Sequence, residues 1–289
     1  MQDIAPGRTI VGRYLLQERH LASADGIEVW QAVDNTLRAE VRVTLIPEGL
    51  PHAEAAVDAA RRVANVQDHR LVQILDIGVT DGVSWIVEEF HVGARTLFDL
   101  VSDNPLDGEQ TRTVLGEAAS ALAVAGRRGL HHLRLTPYSV LITQRGEVKV
   151  SGLGTVLALE GSDEPPSERA NLLDCLGLLA LAYYALTTRW PLPREIPGID
   201  PAPRVVGGVP APSEIAAGVP ADLDFLCRTT LNGQQGPRTP ADLAADVAPW
   251  RPLVTRDGDE PATVVIPPVQ GDASTARGAQ VEQAAQVEQ

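Results

Sequence analysis

The sequence predicts an α+β protein: a small sheet-rich part, a larger helical part and an irregular C-terminal segment. Three observations carry this. Between Arg13 and about Phe90, apolar residues rich in Val and Ile alternate in short runs separated by polar or Gly-containing turns, the pattern of an antiparallel sheet with one solvated face. After Asn104 the texture changes to long Ala- and Leu-rich stretches with helical spacing. From Arg251 onward Pro, Gly, Asp and Gln dominate without any period, which reads as a flexible tail.

Taken in order, the strand candidates are "GRYLLQER", "IEVWQAVD", "EVRVTLI", "LVQILDIGV" and "SWIVEEF". One Ala-rich stretch among them, "HAEAAVDAARRVANV", has helical propensity and spacing instead. In the second part "DGEQTRTVLGEAASALAVAGRRG" and "ANLLDCLGLLALAYYALTTRW" are helices by composition and period. "PADLDFLCRTTL" and "TPADLAADVAPW" each open with a Pro and an Asp, as helix starts do. The boundary between the parts is expected near residues 90–95, giving segments 8–92, 93–250 and 251–289.

Composition narrows the function. The chain has 289 residues, 44% of them apolar, enough for a sizeable core. With 24 basic and 38 acidic residues its net charge is −14, which disfavours nucleic acid or an anionic membrane surface as partner. Lys149 is the only lysine. Cys175 and Cys227 lie on apolar-patterned segments without metal-ligand spacing, so buried free thiols in a reducing, cytoplasmic compartment are expected. The longest apolar run, "LLDCLGLLALAYYAL", is short for a membrane span and contains Asp174.

The order of segments resembles a bilobal Ser/Thr protein kinase domain over about residues 8–250, closest in texture to the actinobacterial receptor-type kinases. "GRYLLQER", "EVWQAVD", "HRLVQILDIG", "WIVEEF", "LRLTPYSVLI", "EVKVSGLG", "LTTRWPLP" and "GPRTPADLAADV" carry the resemblance, in order and at kinase-like intervals. It implies a kinase-like fold with a sheet-rich N-lobe and a helical C-lobe. Kinase chemistry is positioning plus neutralisation of phosphate charge, so each family position can be compared with this sequence.

The three glycines of the family's phosphate-covering loop correspond to Ala22, Ala24 and Ile27. The strand lysine corresponds to Thr44, and the helix glutamate that pairs with it to Ala60. In the catalytic loop Arg134 stands for the base Asp, Thr136 for the Lys and Ser139 for the metal-binding Asn. The DFG motif becomes Gly152–Leu153–Gly154. Each missing charged group is worth on the order of several kcal/mol of transition-state stabilisation. The expectation is therefore a pseudokinase that is not an enzyme and uses no cofactor or metal.

Leu135, Pro137, Val140, Leu141 and Ile142 keep the packing face of the loop. Asp174 sits where the family uses a buried Asp to hold the loop backbone, and Arg238 matches a late C-lobe arginine. Only about twenty residues separate Gly154 from Asp174, roughly half the family's interval, and no APE motif occurs there. Arg238 is therefore expected to lack its usual partner, the APE glutamate.

Other candidates read more simply. His131 and His132 are adjacent, so their side chains diverge and packing suits them better than metal ligation. Arg134 is expected to bond nearby carboxylates or backbone rather than phosphate. Glu88 and Glu89 fall at the family's interlobe hinge, and no base is placed to activate Thr136 or Ser139.

The C-terminal segment carries the sharpest signal. Thr263 in "DGDEPATVVIPP" has acids before it and Val264, Val265 and Ile266 after it. Forkhead-associated (FHA) domains read phosphothreonine with a preference for the third following residue, here Ile266. A degenerate kinase domain with such a tail resembles the cytoplasmic pseudokinase domain of the actinobacterial MviN (MurJ-type) lipid II flippases. That resemblance implies phosphorylation of Thr263 by a receptor-type Ser/Thr kinase, recruitment of an FHA-domain regulator of peptidoglycan synthesis, and tethering to a flippase outside this chain. Two alternatives differ in class: a nucleotide-sensing pseudokinase that binds ATP without transfer, and a transferase with relocated catalytic groups.

Overall fold

A computed structural model describes residues 4–23 and 25–253. Within residues 1–255, which form one compact unit, two layers of strands and a helical bundle appear. The first sheet is fully antiparallel. It contains β1 (Thr9–Ile10), β2 (Tyr14–Ala22), β3 (Glu28–Asp34), β4 (Ala39–Pro47), β5 (Ile74–Thr80) and β6 (Val83–Glu89), in the order β1-β2-β3-β4-β6-β5. Period-two alternation sets its register. Trp30 and Ala32 of β3 and Val41, Val43 and Leu45 of β4 turn to one face, where they meet Tyr14, Leu16, Trp85 and Val87 in a buried cluster.

Helix α1 (Ala53–Val63) covers the other face. Ala53, Ala56 and Ala60 press against Ile46 and Ile86, and the small side chains let the helix axis come close to the strands. Its opposite face carries Asp58, Arg61 and Arg62.

Between α1 and β5 the chain touches the second part: Val72 N donates to Val150 O (2.9 Å) and Val150 N to Arg70 O (2.7 Å), stitching residues 70–72 to β9 (Val148–Val150) before the chain returns to the first sheet as β5 and β6. With β7 (Arg95–Thr96) and β8 (Val140–Ile142), β9 forms a three-stranded sheet in the order β7-β8-β9. Helices α2 (Leu97–Asp103), α3 (Gly108–Gly126), α4 (Thr155–Leu159), α5 (Ser167–Thr187), α6 (Ala221–Leu231) and α7 (Pro240–Val247) complete it.

Helix α5 is the axis of this part. Leu178, Leu179, Ala180 and Tyr183 are wholly buried, and α3, α6 and α7 surround it. Burial of each large side chain contributes about 1.5–3 kcal/mol. Among the described residues α5 is the one helix long and apolar enough to cross a membrane, and most of it is buried inside the protein. Capping boxes start three helices: Thr96 with Asp99 in α2, Asp107 with Gln110 in α3, and Thr239 with Asp242 in α7. Each satisfies two otherwise orphaned backbone N–H groups. The Pro of the "TPADL" stretch is the first residue of α7, where a missing N–H costs nothing.

The end of the described chain is anchored on α3. Trp250 lies flat on Gly116, where any Cβ would collide with the indole. Trp250 Nε1 donates to Glu117 Oε1 (2.8 Å), and Thr113 Oγ1 donates to Arg251 O (2.6 Å).

Candidate functional site

The site is built around the loop between α3 and β8. Asp174, on the buried stretch of α5, accepts hydrogen bonds from Leu133 N (2.8 Å) and His132 N (3.2 Å). Those bonds hold Leu133 in a left-handed conformation (φ 60°) that a leucine rarely adopts. His132 is fully buried and its ring links two backbones. Nδ1 accepts from Arg134 N (3.3 Å), which leaves Nε2 to donate to Ser151 O (2.9 Å). Burial lowers its pKa, so the neutral tautomer with the proton on Nε2 fits both bonds.

Further along the loop, Thr136 and Ser139 close a turn on themselves. Ser139 Oγ donates to Thr136 O (2.8 Å) and accepts from Thr136 N (3.0 Å), while Ser151 N donates to Ser139 O (2.9 Å). Gly152 follows in the left-handed region (φ 79°), with a Cβ there only 2.9 Å from Val156 Cγ2.

Arg134 turns outward to the segment after α4. It donates through Nε to Glu160 Oε2 and through NH2 to Ser162 Oγ (3.0 Å). Arg194 NH2 reaches the other oxygen of Glu160 (2.6 Å). Burial alone would raise the Glu160 pKa, but the two guanidiniums outweigh it and hold the carboxyl below its usual range. Seven residues, 160–166, then lead to α5.

The sheet contributes the other sequence-identified positions. Ser23 and Ile27 close the β2–β3 turn: Ser23 N donates to Ile27 O (2.8 Å) and Ile27 N to Ser23 Oγ (3.0 Å). Ala22 pairs with Glu28 across it. Ala24 lies outside the described residues. Thr44 sits in mid-strand opposite Val29 and Ile86, and Ala60 is on the buried, sheet-facing side of α1. Arg42 is opposite Glu88, whose pKa is raised by burial and by Glu89 against the pull of Arg42. Glu89 is held low despite its burial. His91 Nε2 lies 3.0 Å away, Gln73 N donates to it (3.1 Å), and Lys149 Nζ stands at 3.9 Å. Thus the loop residues Arg134, Thr136, Ser139 and Gly152 come together with Asp174, whereas Thr44 and Ala60 stay on the sheet side. Among the described residues no group of three or more His, Cys, Asp or Glu side chains is placed to hold a metal ion.

Arg238, without an APE glutamate, takes another partner: its NH2 donates to Glu168 Oε1 (2.6 Å) on the first turn of α5. The carboxylate comes from "PPSERAN", which has no APE letters. Sequence reasoning also missed Glu160, Ser162 and Arg194, which sit in stretches without period or motif. Thr263 and Ile266 lie outside the described residues.

Comparison with known proteins gives a consistent picture. The probable serine/threonine-protein kinase pknA2 of Bifidobacterium longum is 29% identical over 187 residues, 62% of this chain and 24% of that protein. PknA of Mycobacterium tuberculosis is 30% identical over 176 residues, 54% of this chain and 38% of that protein. PrkC of Bacillus subtilis is 26% identical over 160 residues, 54% of this chain and 24% of that protein. The fold is protein-kinase-like. The sheet with α1 is its N-lobe and the bundle around α5 its C-lobe. No protein-family model matches the chain, which spans well under half the length of these curated relatives. Their names also correct the sequence reading of this chain as a non-enzyme. All are named as serine/threonine-protein kinases, which points to an enzyme.

Proposed function

We propose that this chain is a kinase-fold signalling module whose C-terminal segment, once phosphorylated on Thr263 by a receptor-type Ser/Thr kinase, docks the FHA domain of a regulator of peptidoglycan synthesis. The observation that carries the reading is the sequence "DGDEPATVVIPP", with acids before the threonine and Ile266 at the third place after it. A phosphate adds close to two negative charges and three acceptors that an arginine-containing pocket can grip. A folded surface near the same partner raises the effective affinity through linkage. The similarity to kinases supports a role in signalling, and tethering to a membrane flippase belongs to the same proposal.

The test combines incubation with a receptor-type Ser/Thr kinase, mass spectrometry and FHA-domain capture. The main phosphate is expected on Thr263 ahead of Thr255, Ser274 and Thr275. Thr263→Ala should abolish capture without changing the melting temperature, and persistent capture by that variant would refute the proposal. The names of the relatives favour a second reading, phosphoryl transfer by this chain itself. Transfer of labelled phosphate from Mg-ATP to the chain or to a generic protein substrate, with no other kinase present, tests it. Absence of any transfer over a range of metals and substrates counts against it.

A further inference from the structure

One face of α6 stays open to solvent. Phe225, Arg228 and Asn232 follow one another along it at helical spacing, while Leu223 and Cys227 turn inward, where the Cys227 thiol reaches the backbone of α5. Phe225 is 54% exposed, and the Arg228 guanidinium lies over its ring, 5.8 Å from the centroid. The strip continues at both ends. Asn232 Oδ1 accepts from Val209 N (2.8 Å), and a Cβ on Gly208 would strike the same side chain, so the turn of residues 205–208 sits directly on the end of the helix. Val205 N donates to Gly208 O (2.9 Å) and Gly208 N to Val205 O (3.0 Å), which leaves Val206 fully exposed at the tip. At the other end Ser213 N donates to Asp224 Oδ1 (2.8 Å). That bond ties the single 3₁₀ turn Pro212–Glu214, with the exposed Ile215 after it, to the start of α6.

Scattered apolar residues are normal on a protein surface, but a continuous row of them marks an interaction site. An arginine stacked on an aromatic ring is also the kind of pair that dominates protein interfaces. The charges of the strip decide what it fits. Among the described residues neither Arg228 nor Glu214 forms an ion pair. Glu214 and Asp224 stand at the start of the strip, and Arg228 follows Asp224 by about one helical turn. A two-fold axis across α6 lays the acidic end of one strip on the basic position of another, so the surface is complementary to itself.

We propose that this face of α6 pairs with the same face of a second copy of the chain, the two helices running antiparallel. Each Arg228 then meets Glu214 and Asp224 of the other copy, the two Phe225 rings pack beside the axis, and Ile215 approaches the other copy's Val206. The strip is short, so the association is weak and depends on concentration. It rests neither on phosphorylation of Thr263 nor on phosphoryl transfer by the chain.

Sedimentation velocity of the full chain between about 5 and 500 μM tests the pairing, a range suited to a small interface. The weight-average mass is expected to rise with concentration from that of one chain towards twice that value. Phe225→Asp should raise the dissociation constant at least about tenfold. Arg228→Glu and Glu214→Arg should each do the same, because like charges then face each other at both contacts. An equimolar mixture of those two variants should recover most of the association, since in the mixed pair both contacts again join opposite charges. All three alter exposed side chains, so each variant should keep the melting temperature of the unmodified chain. A mass independent of concentration, an unaltered constant for Phe225→Asp, or a mixture no more associated than either variant alone would overturn the proposal.

Discussion

Removing the Asp174 carboxylate isolates one structural element of the site. In Asp174→Ala the N–H groups of His132 and Leu133 lose their acceptor inside the protein, where Asp174 itself is 1% exposed. Leaving a buried donor unpaired costs about 1–3 kcal/mol each. The longer bond, 3.2 Å, belongs at the low end and the 2.8 Å bond higher. Relief from burying a carboxylate offsets part of the sum. The balance is about 3 kcal/mol. For a folded unit of this size each kcal/mol moves the melting temperature by about 2–4 °C, so a drop of roughly 6–12 °C is expected. Asp174→Asn keeps one acceptor and should lose about half as much. Calorimetry or dye-monitored melting measures both. A shift within 2 °C for Asp174→Ala would refute the argument that this carboxylate holds the loop and its left-handed Leu133.

Three further predictions come from groups elsewhere. Asp34 is held at about 2 by the hydrogen-bonded Arg13 guanidinium, so its contribution to stability is full above about pH 4 and lost as pH falls from 4 towards 2. Asp34→Asn should flatten that limb of a stability-versus-pH curve, and an unchanged slope would count against the pair. Cys175 is pushed up to about 12 by burial, and burial raises Cys227 further still; both should resist a thiol reagent at pH 8 in the native state and react only on unfolding. Glu160→Ala should leave Arg134 and Arg194 facing each other, speed amide exchange over residues 155–166 and lower the melting temperature by no more than about 3 °C.

The sheet and the long helices were legible because burial writes its period into the letters. The alternation of β3 and β4 and the uninterrupted apolar surface of α5 each have one physical solution. Two-residue strands such as β1 and β7 carry no period and were invisible. The Asp174 position was legible because it lies in a patterned helix opposite a patterned loop. The Arg134–Glu160–Arg194 cluster was not, since its partners stand 26 and 34 residues apart and any carboxylate on the intervening path serves. Arg238 shows the same limit. Its reading searched for the letters of a motif, whereas the chain delivers Glu168 from 70 residues away. The reading of the chain as a non-enzyme also rested on letters at single positions, and the names of its relatives overturn it.

Glu117 is bound on both oxygens, by Arg70 Nε (2.7 Å) from the segment between α1 and β5 and by Trp250 Nε1 (2.8 Å) from the last described turn. One carboxylate on α3 therefore ties together two stretches 180 residues apart in the chain, and its loss would release both at once.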